Sequence, residues 1–225
     1  MEKKSLNLSW DKFFVMVIYG TPGSGKTSLL KYIMYEASNN KRFDHCLLIS
    51  SSKNDPDYKF ISKKYKFDSY NRDAVENYIH FLRDHNQKNI KTRGLLIFDD
   101  VVGQDAGSFK TNFYKDLFTC HRHIGLSIII CMQVPVEIPA YLRSMIKYAC
   151  IYKYISKGDK EKIFTAFGSL AENEKEFNKI YEHHTNEPYK FLFYNRTDMY
   201  DTDKAYKGCR APNPKDIPKF KIKFD

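Results

Sequence analysis

Eight consecutive residues, Gly20-Thr21-Pro22-Gly23-Ser24-Gly25-Lys26-Thr27, carry the densest chemistry in the chain. They fit the P-loop pattern G-x-x-x-x-G-K-[ST] at every fixed position. Glycines let a backbone wrap a polyphosphate without Cβ clashes, so that successive N–H groups point at its oxygens. A helix opening directly behind such a loop adds a partial positive charge. In that arrangement Lys26 reaches the β- and γ-phosphates of ATP, the Thr27 hydroxyl holds Mg²⁺, and Ser28 continues the phosphate-facing stretch. A glycine-rich turn with no ligand is the bland alternative.

The flanks argue against that alternative. The apolar run Phe13 to Tyr19 reads as a buried strand. Lys26 to Ser38 reads as a helix with Leu29, Leu30, Ile33, Met34 and Ala37 on one face. A second anchor follows at Leu95-Leu96-Ile97-Phe98-Asp99-Asp100, where carboxylates appear as an apolar strand ends. Ligands of parallel α/β sheets bind outside the carboxyl ends of strands. Asp99 is therefore expected to hold the Mg²⁺ bound by Thr27, directly or through water, and Asp100 to orient or deprotonate an attacking water. Solvated turn acids are the alternative. A third apolar run, Leu126 to Met132, ends in Gln133. If that strand lies between the other two, the Gln133 amide sits beside the P-loop, within reach of the γ-phosphate or the water.

Other elements must carry these residues. His45 to Ser50 reads as a strand, Arg72 to His85 and Lys110 to His121 as helices, Ala140 to Lys147 as a short helix bearing Arg143, and Tyr148 to Ile155 as a fifth strand. Lys160 to Phe167 and Glu172 to His184 read as amphipathic helices, and Tyr189 to Tyr194 as the last strand. Residues 51–56, 87–93 and 101–109 and the Pro135–Pro139 stretch read as loops, the third of them mobile around Gly103 and Gly107, while 57–70 has no clear period. The 225 residues suit one α/β domain over 1–200 with a basic, Pro-containing extension over 201–225. From Lys204 to Lys223 seven basic residues face one acid, Asp216, which reads equally as a DNA- or subunit-contacting arm and as a solvated tail.

The formal net charge of +10 favours an anionic partner, nucleic acid foremost, with solubility as the alternative. The five cysteines form no C-x-x-C pair and read as reduced thiols of an intracellular protein. Cys120, His121 and His123 lie close together, but no second ligand pair at zinc spacing follows. Met1 to Trp10 has no apolar core of a signal peptide, and no run approaches the ~20 apolar residues that span a bilayer. A soluble protein without membrane contact is expected.

Arg122-His123-Ile124-Gly125, the strand after it and Gln133 resemble the segment following the second acidic motif in the FtsK/HerA superfamily of DNA-pumping ATPases. With Gly20 to Thr27 and Leu95 to Asp100, the order and spacing are similar to the genome-packaging ATPases of poxviruses, giant viruses and virophages. The likeness covers roughly residues 12 to 195. It implies a RecA-like P-loop NTPase fold of the ASCE type, a central mostly parallel sheet flanked by helices, with the Gln133 strand between the two motif strands. It implies ATP and Mg²⁺ as cofactors, Lys26 and Thr27 as their ligands, and Asp99 as the metal-linked acid. Asp100 matches the catalytic acid, often Glu in the wider superfamily, so the shorter Asp is a departure. Gln133 matches the sensor glutamine. Arg122 matches an arginine that reaches a neighbouring subunit's nucleotide, and Arg143 is a second candidate for that role. The resemblance further implies a homo-oligomeric ring around double-stranded DNA, a capsid portal or vertex protein as partner, and work in the host cytoplasm at a viral factory, with virion association left open. Two rivals stand beside this reading: a small-molecule P-loop kinase, which usually needs an Arg-rich lid, and a nucleotide-dependent scaffold without catalysis.

Overall fold

The computed structural model describes residues 12–50, 58–88, 91–101, 108–133 and 139–222. Val15–Tyr19 (β1) is buried along its whole length, as a strand covered on both faces must be. It is followed by Lys26–Asn39 (α1), His45–Ser50 (β2), the two-residue strand Lys66–Phe67 (β3), Arg72–Gln87 (α2) and Gly94–Asp99 (β4). Asn112–Cys120 (α3), Leu126–Met132 (β5), Ala140–Met145 (α4) and Ile146–Tyr152 (β6) come next. Lys157–Phe167 (α5), Glu174–His184 (α6), Lys190–Asn195 (β7), Thr202–Ala205 (α7) and Tyr206–Arg210 (β8) complete the order. The strands form one sheet in the order β3-β2-β4-β5-β1-β6-β7-β8. β1 to β6 run parallel, while β7 is antiparallel to both β6 and β8. Strand β5 thus stands between β4 and β1, where the resemblance implies it.

Side chains alternate across the sheet, so each strand feeds two cores. Val15, Val17 and Tyr19 face one layer, roofed by α2, α3, α5 and α6 through Val75, Leu117, Ile163 and Phe177. Phe14, Met16 and Ile18 face the other, roofed by Leu29, Leu30, Ile33 and Met34 of α1. Three cysteines, Cys46, Cys131 and Cys150, lie buried in this second layer. The turn into β5 needs a glycine. Gly125 has φ 71°, and a Cβ there would meet the Thr92 carbonyl at 2.6 Å. That close approach lets the Asn86 amide donate to the carbonyls of both Thr92 and Ile124, each at 3.2 Å, and so clamp α2 to the amino ends of β4 and β5.

Several elements depart from the sequence expectation. Tyr189–Tyr194 is not the last strand, because Tyr206–Arg210 pairs with it from Lys190↔Arg210 to Tyr194↔Tyr206. A solvated tail is also corrected through residue 222. Ala211 and Ile217 are buried, Phe220 stacks on Phe60 with centroids 4.6 Å apart, and the Ile222 N–H donates to the Phe60 carbonyl at 3.0 Å. Its cations stay outside on this docked segment, with Arg210, Lys215, Lys219 and Lys221 exposed. The unassigned stretch 57–70 contains β3, which pairs with β2 and makes the expected fifth strand the sixth. That strand starts at Ile146 and not Tyr148, shortening the helix before it. The expectations for residues 1–10, 51–56 and 102–107, and most of the Pro135–Pro139 stretch, fall outside the described residues, as do Asn89 and Ile90 of the 87–93 loop. Among the described residues, no helix is long and apolar enough to cross a membrane.

Candidate nucleotide site

The P-loop leaves the carboxyl end of β1 and enters α1. Its first N–H, on Gly20, donates to the Met132 carbonyl at 3.1 Å, which ties the loop to the end of β5. Gly23 and Gly25 take φ of 76° and 105°, left-handed angles that glycine adopts without a Cβ clash. Gly25 is the N-cap of α1, and no side chain caps it, so the first-turn N–H groups remain directed at the loop. Lys26 is 7% exposed, and its ammonium donates to the carbonyls of Gly20 at 2.6 Å and Thr21 at 3.3 Å. A largely buried ammonium held by carbonyl dipoles at a helix N-terminus is a site for an anion. The Ser24 hydroxyl, beneath the loop, is buried with no protein partner. These features fit a polyphosphate.

The acids stand two strands away. Asp99 ends β4, opposite Ser50 of β2 and Cys131 of β5. It is 5% exposed, and one carboxyl oxygen, Oδ2, accepts hydroxyl bonds from Tyr58 at 2.5 Å and Ser50 at 3.1 Å. Burial pushes the Asp99 carboxyl up from its ordinary range; the Tyr58 hydroxyl opposes this, the neighbouring Asp100 adds to it, and Ser50 and Lys26 oppose it. A hydroxyl on Thr27 and a carboxylate on Asp99 are hard oxygen donors of the kind Mg²⁺ takes, together with phosphate oxygens. Among the described residues no group of three or more His, Cys, Asp and Glu could hold a metal by itself. The His121 ring is buried and bonded to the Phe118 carbonyl at 2.7 Å.

At Asp100 the backbone turns sharply, with φ 53°, while its N–H donates to the Cys131 carbonyl at 3.2 Å. This rotates the carboxylate away from the strand line. The Gln133 amide donates to Asp100 Oδ2 at 2.6 Å, and the other oxygen, Oδ1, is buried without a protein partner. Gln133 is itself anchored. Its carbonyl accepts from the Tyr154 hydroxyl at 2.8 Å. The Tyr181 hydroxyl accepts from the Tyr154 N–H and donates to the Tyr152 carbonyl, both at 2.7 Å. Two tyrosines, one just past β6 and one from α6, therefore fix the glutamine that follows β5.

Lys26, Asp99, Asp100 and Gln133 thus meet at the carboxyl edge of three adjacent strands. Arg122 and Arg143 do not join them. Arg122 is exposed in the turn before the seven-residue β5, about 23 Å from its carboxyl end at ~3.3 Å per residue. Arg143 lies in α4, just before β6 begins beside Val15. Both arginines are at the amino edge of the sheet, away from the P-loop of their own chain. Sequence reasoning missed Ser50, Tyr58, Tyr154 and Tyr181. A serine ending an apolar strand was the signal for Ser50. Tyr58 sits in a stretch with no periodicity, and nothing in the sequence marks it.

The family model described as Poxvirus A32 protein matches residues 2–188. A protein designated 088R from Invertebrate iridescent virus 3 is 23% identical over 206 residues, covering 92% of this chain and 77% of its own. Among solved structures, the genome packaging NTPase B204 of Sulfolobus turreted icosahedral virus 2, in complex with sulfate, superposes with a TM-score of 0.66 at 18% identity, over 89% of this chain and 98% of that one. The pCW3 conjugation coupling protein TcpA, with ATPgS, gives 0.63 at 14% identity, over 93% of this chain and 65% of its own. These likenesses place the sheet among P-loop NTPase folds. The family match runs from before β1 to the end of α6, through both motif strands and the glutamine strand between them, and the chain belongs to the poxvirus A32 family.

Proposed function

We propose that this chain is the ATP-hydrolysing subunit of a motor that drives viral double-stranded DNA into a preformed capsid. The observation that carries the reading is the Asp100–Gln133 pair, held at 2.6 Å where β4 and β5 end, with Gln133 directly after the Met132 carbonyl that anchors the P-loop. A kinase or a scaffold has no evident task for a glutamine braced in that position. The family membership supports the same reading, and so does B204, a genome packaging NTPase.

In this reading the P-loop amides and Lys26 bind the β- and γ-phosphates, and Thr27 and Asp99 hold Mg²⁺. Bound Mg²⁺ supplies charge neutralisation on the transferring phosphoryl group. Asp100 accepts a proton from the attacking water, and Gln133 fixes the carboxylate's angle. The shorter reach of Asp is offset by its left-handed backbone, which sets the carboxyl against the Gln133 amide. Ser24 and the first turn of α1 hold the phosphates against recoil. Arg122, with Arg143 as second candidate, reaches the nucleotide of a neighbouring copy in a ring. The exposed cations of the docked C-terminal segment contribute to a DNA-facing surface.

The test is ATP turnover against protein concentration, with and without linear double-stranded DNA. Turnover per subunit is expected to rise with concentration and again with DNA. DNA affinity should fall steeply with salt, because phosphate contacts release counterions. Turnover indifferent to both variables overturns the motor reading, and a requirement for a small acceptor would favour a kinase.

A further inference from the structure

The acid side of the P-loop is β5 and β4, and the opposite side is β6, β7 and β8. On the proposed reading the γ-phosphate points to the acids, so the nucleoside leaves the loop on the other side. The ring of Tyr189 waits there. A Cβ on Gly25 would lie 3.3 Å from Tyr189 Cδ1 and 3.3 Å from Ala211 Cβ, so the ring borders the last glycine of the loop. Tyr189 is 54% exposed and has φ 64°, a backbone angle that a bulky side chain rarely takes. Strained backbone of this kind clusters at ligand clamps.

The turn that carries the ring is braced from several directions. Glu187 pairs with both Lys190 and Arg210. Arg210 Nη1 donates to the Pro188 carbonyl at 3.1 Å, and the Ala211 N–H donates to the Tyr189 carbonyl at 2.9 Å. The core does not use this ring, yet four contacts hold the turn that presents it at the mouth of the loop. A preorganised aromatic face loses little freedom when a flat ligand settles on it.

We propose that Tyr189 is the platform on which the nucleotide base stacks. The inference rests on the nucleotide reading of the P-loop and adds the ligand's other end. Stacking recognises the π-face shared by all bases and grows with ring size. The site therefore takes purine nucleoside triphosphates, ATP and GTP alike, ahead of CTP.

The test is calorimetric binding of ATP, GTP, CTP and inorganic tripolyphosphate, with Mg²⁺, to the full chain and to Tyr189→Asn and Tyr189→Phe. Asn tolerates the left-handed backbone, so the ring is removed without new strain. Tyr189→Asn is expected to weaken ATP and GTP about tenfold or more, CTP less, and tripolyphosphate less than about twofold. Tyr189→Phe should bind like the parent. An unchanged ATP affinity in Tyr189→Asn, or an equal loss for tripolyphosphate, overturns the platform while leaving the P-loop reading intact. A parent chain that binds neither ATP nor tripolyphosphate overturns both.

Discussion

Asp99 shows how one residue's chemistry depends on neighbours far off in sequence. Its carboxylate is nearly buried, and two hydroxyls stabilise the charged form that the proposed Mg²⁺ role requires. Hydrogen bonds to charged groups contribute about 1.5–3 kcal/mol each. Tyr58→Phe is thus expected to lower stability by ~1–3 kcal/mol in urea unfolding and to raise the Mg²⁺ concentration for half-maximal turnover several-fold. Ser50→Ala, with the longer bond, should do less. An unchanged Mg²⁺ requirement in Tyr58→Phe would remove Tyr58 from the positioning of Asp99. The P-loop, Asp99 and Gln133 were legible in the sequence because each sits at a fixed place in a local pattern, an apolar run ending in a polar residue. Tyr58 was not, because its role exists only once β2 and β4 are side by side.

At the scale of elements the same division holds. Buried strands with four or more apolar residues were readable as runs, and amphipathic helices such as α2 by their repeat. β8 was not. Its sequence, Tyr-Lys-Gly-Cys-Arg, is polar and lies at the sheet edge, where charged residues guard against pairing with other chains. Its place comes from pairing with β7, which no local period encodes. The segment after it docks through few apolar residues. Phe220 contacts Phe60 face to face and Tyr35 edge-on, at 4.6 and 5.5 Å. Phe220→Ala is expected to cost about 1–3 kcal/mol, because the ring is only partly buried. The denaturation midpoint is the measurement. No shift would mean that the segment is not docked in solution. Phe60 lies two residues from Tyr58, so this variant should also raise the Mg²⁺ requirement, by less than Tyr58→Phe does.

Across the whole molecule, the sheet separates two chemistries. Lys26, Asp99, Asp100 and Gln133 share its carboxyl edge, while Arg122 and Arg143 stand at its amino edge. On the proposed ring, an arginine so placed would serve a nucleotide only across an interface. Lys26→Ala and Arg122→Ala should each be inactive alone. Mixed rings should recover a fraction of parental turnover, because some interfaces pair an intact P-loop with an intact arginine. Recovery is measured over mixing ratios. If Arg143→Ala recovers in such mixtures and Arg122→Ala does not, the trans role belongs to α4. A finger in trans contributes about 10³–10⁵ in rate, so even partial recovery is readily measured.

The position of β1 also has a consequence in time. This strand is made early, yet it occupies the middle of the sheet, between β5 and β6. Phe14 at its entrance bonds to Ser127 across 113 residues of chain. At about 5–20 residues per second of synthesis, β1 waits roughly 6–23 s for its first neighbour. During that interval its apolar residues have no sheet to join, and pairings so distant along the chain form slowly even after release. The nucleotide cannot help in this period, since the P-loop acquires its Met132 anchor only when β5 arrives. ATP can therefore stabilise the finished fold by binding it, but it cannot guide the nascent chain there. The earliest-made part of the site is among the last to become functional.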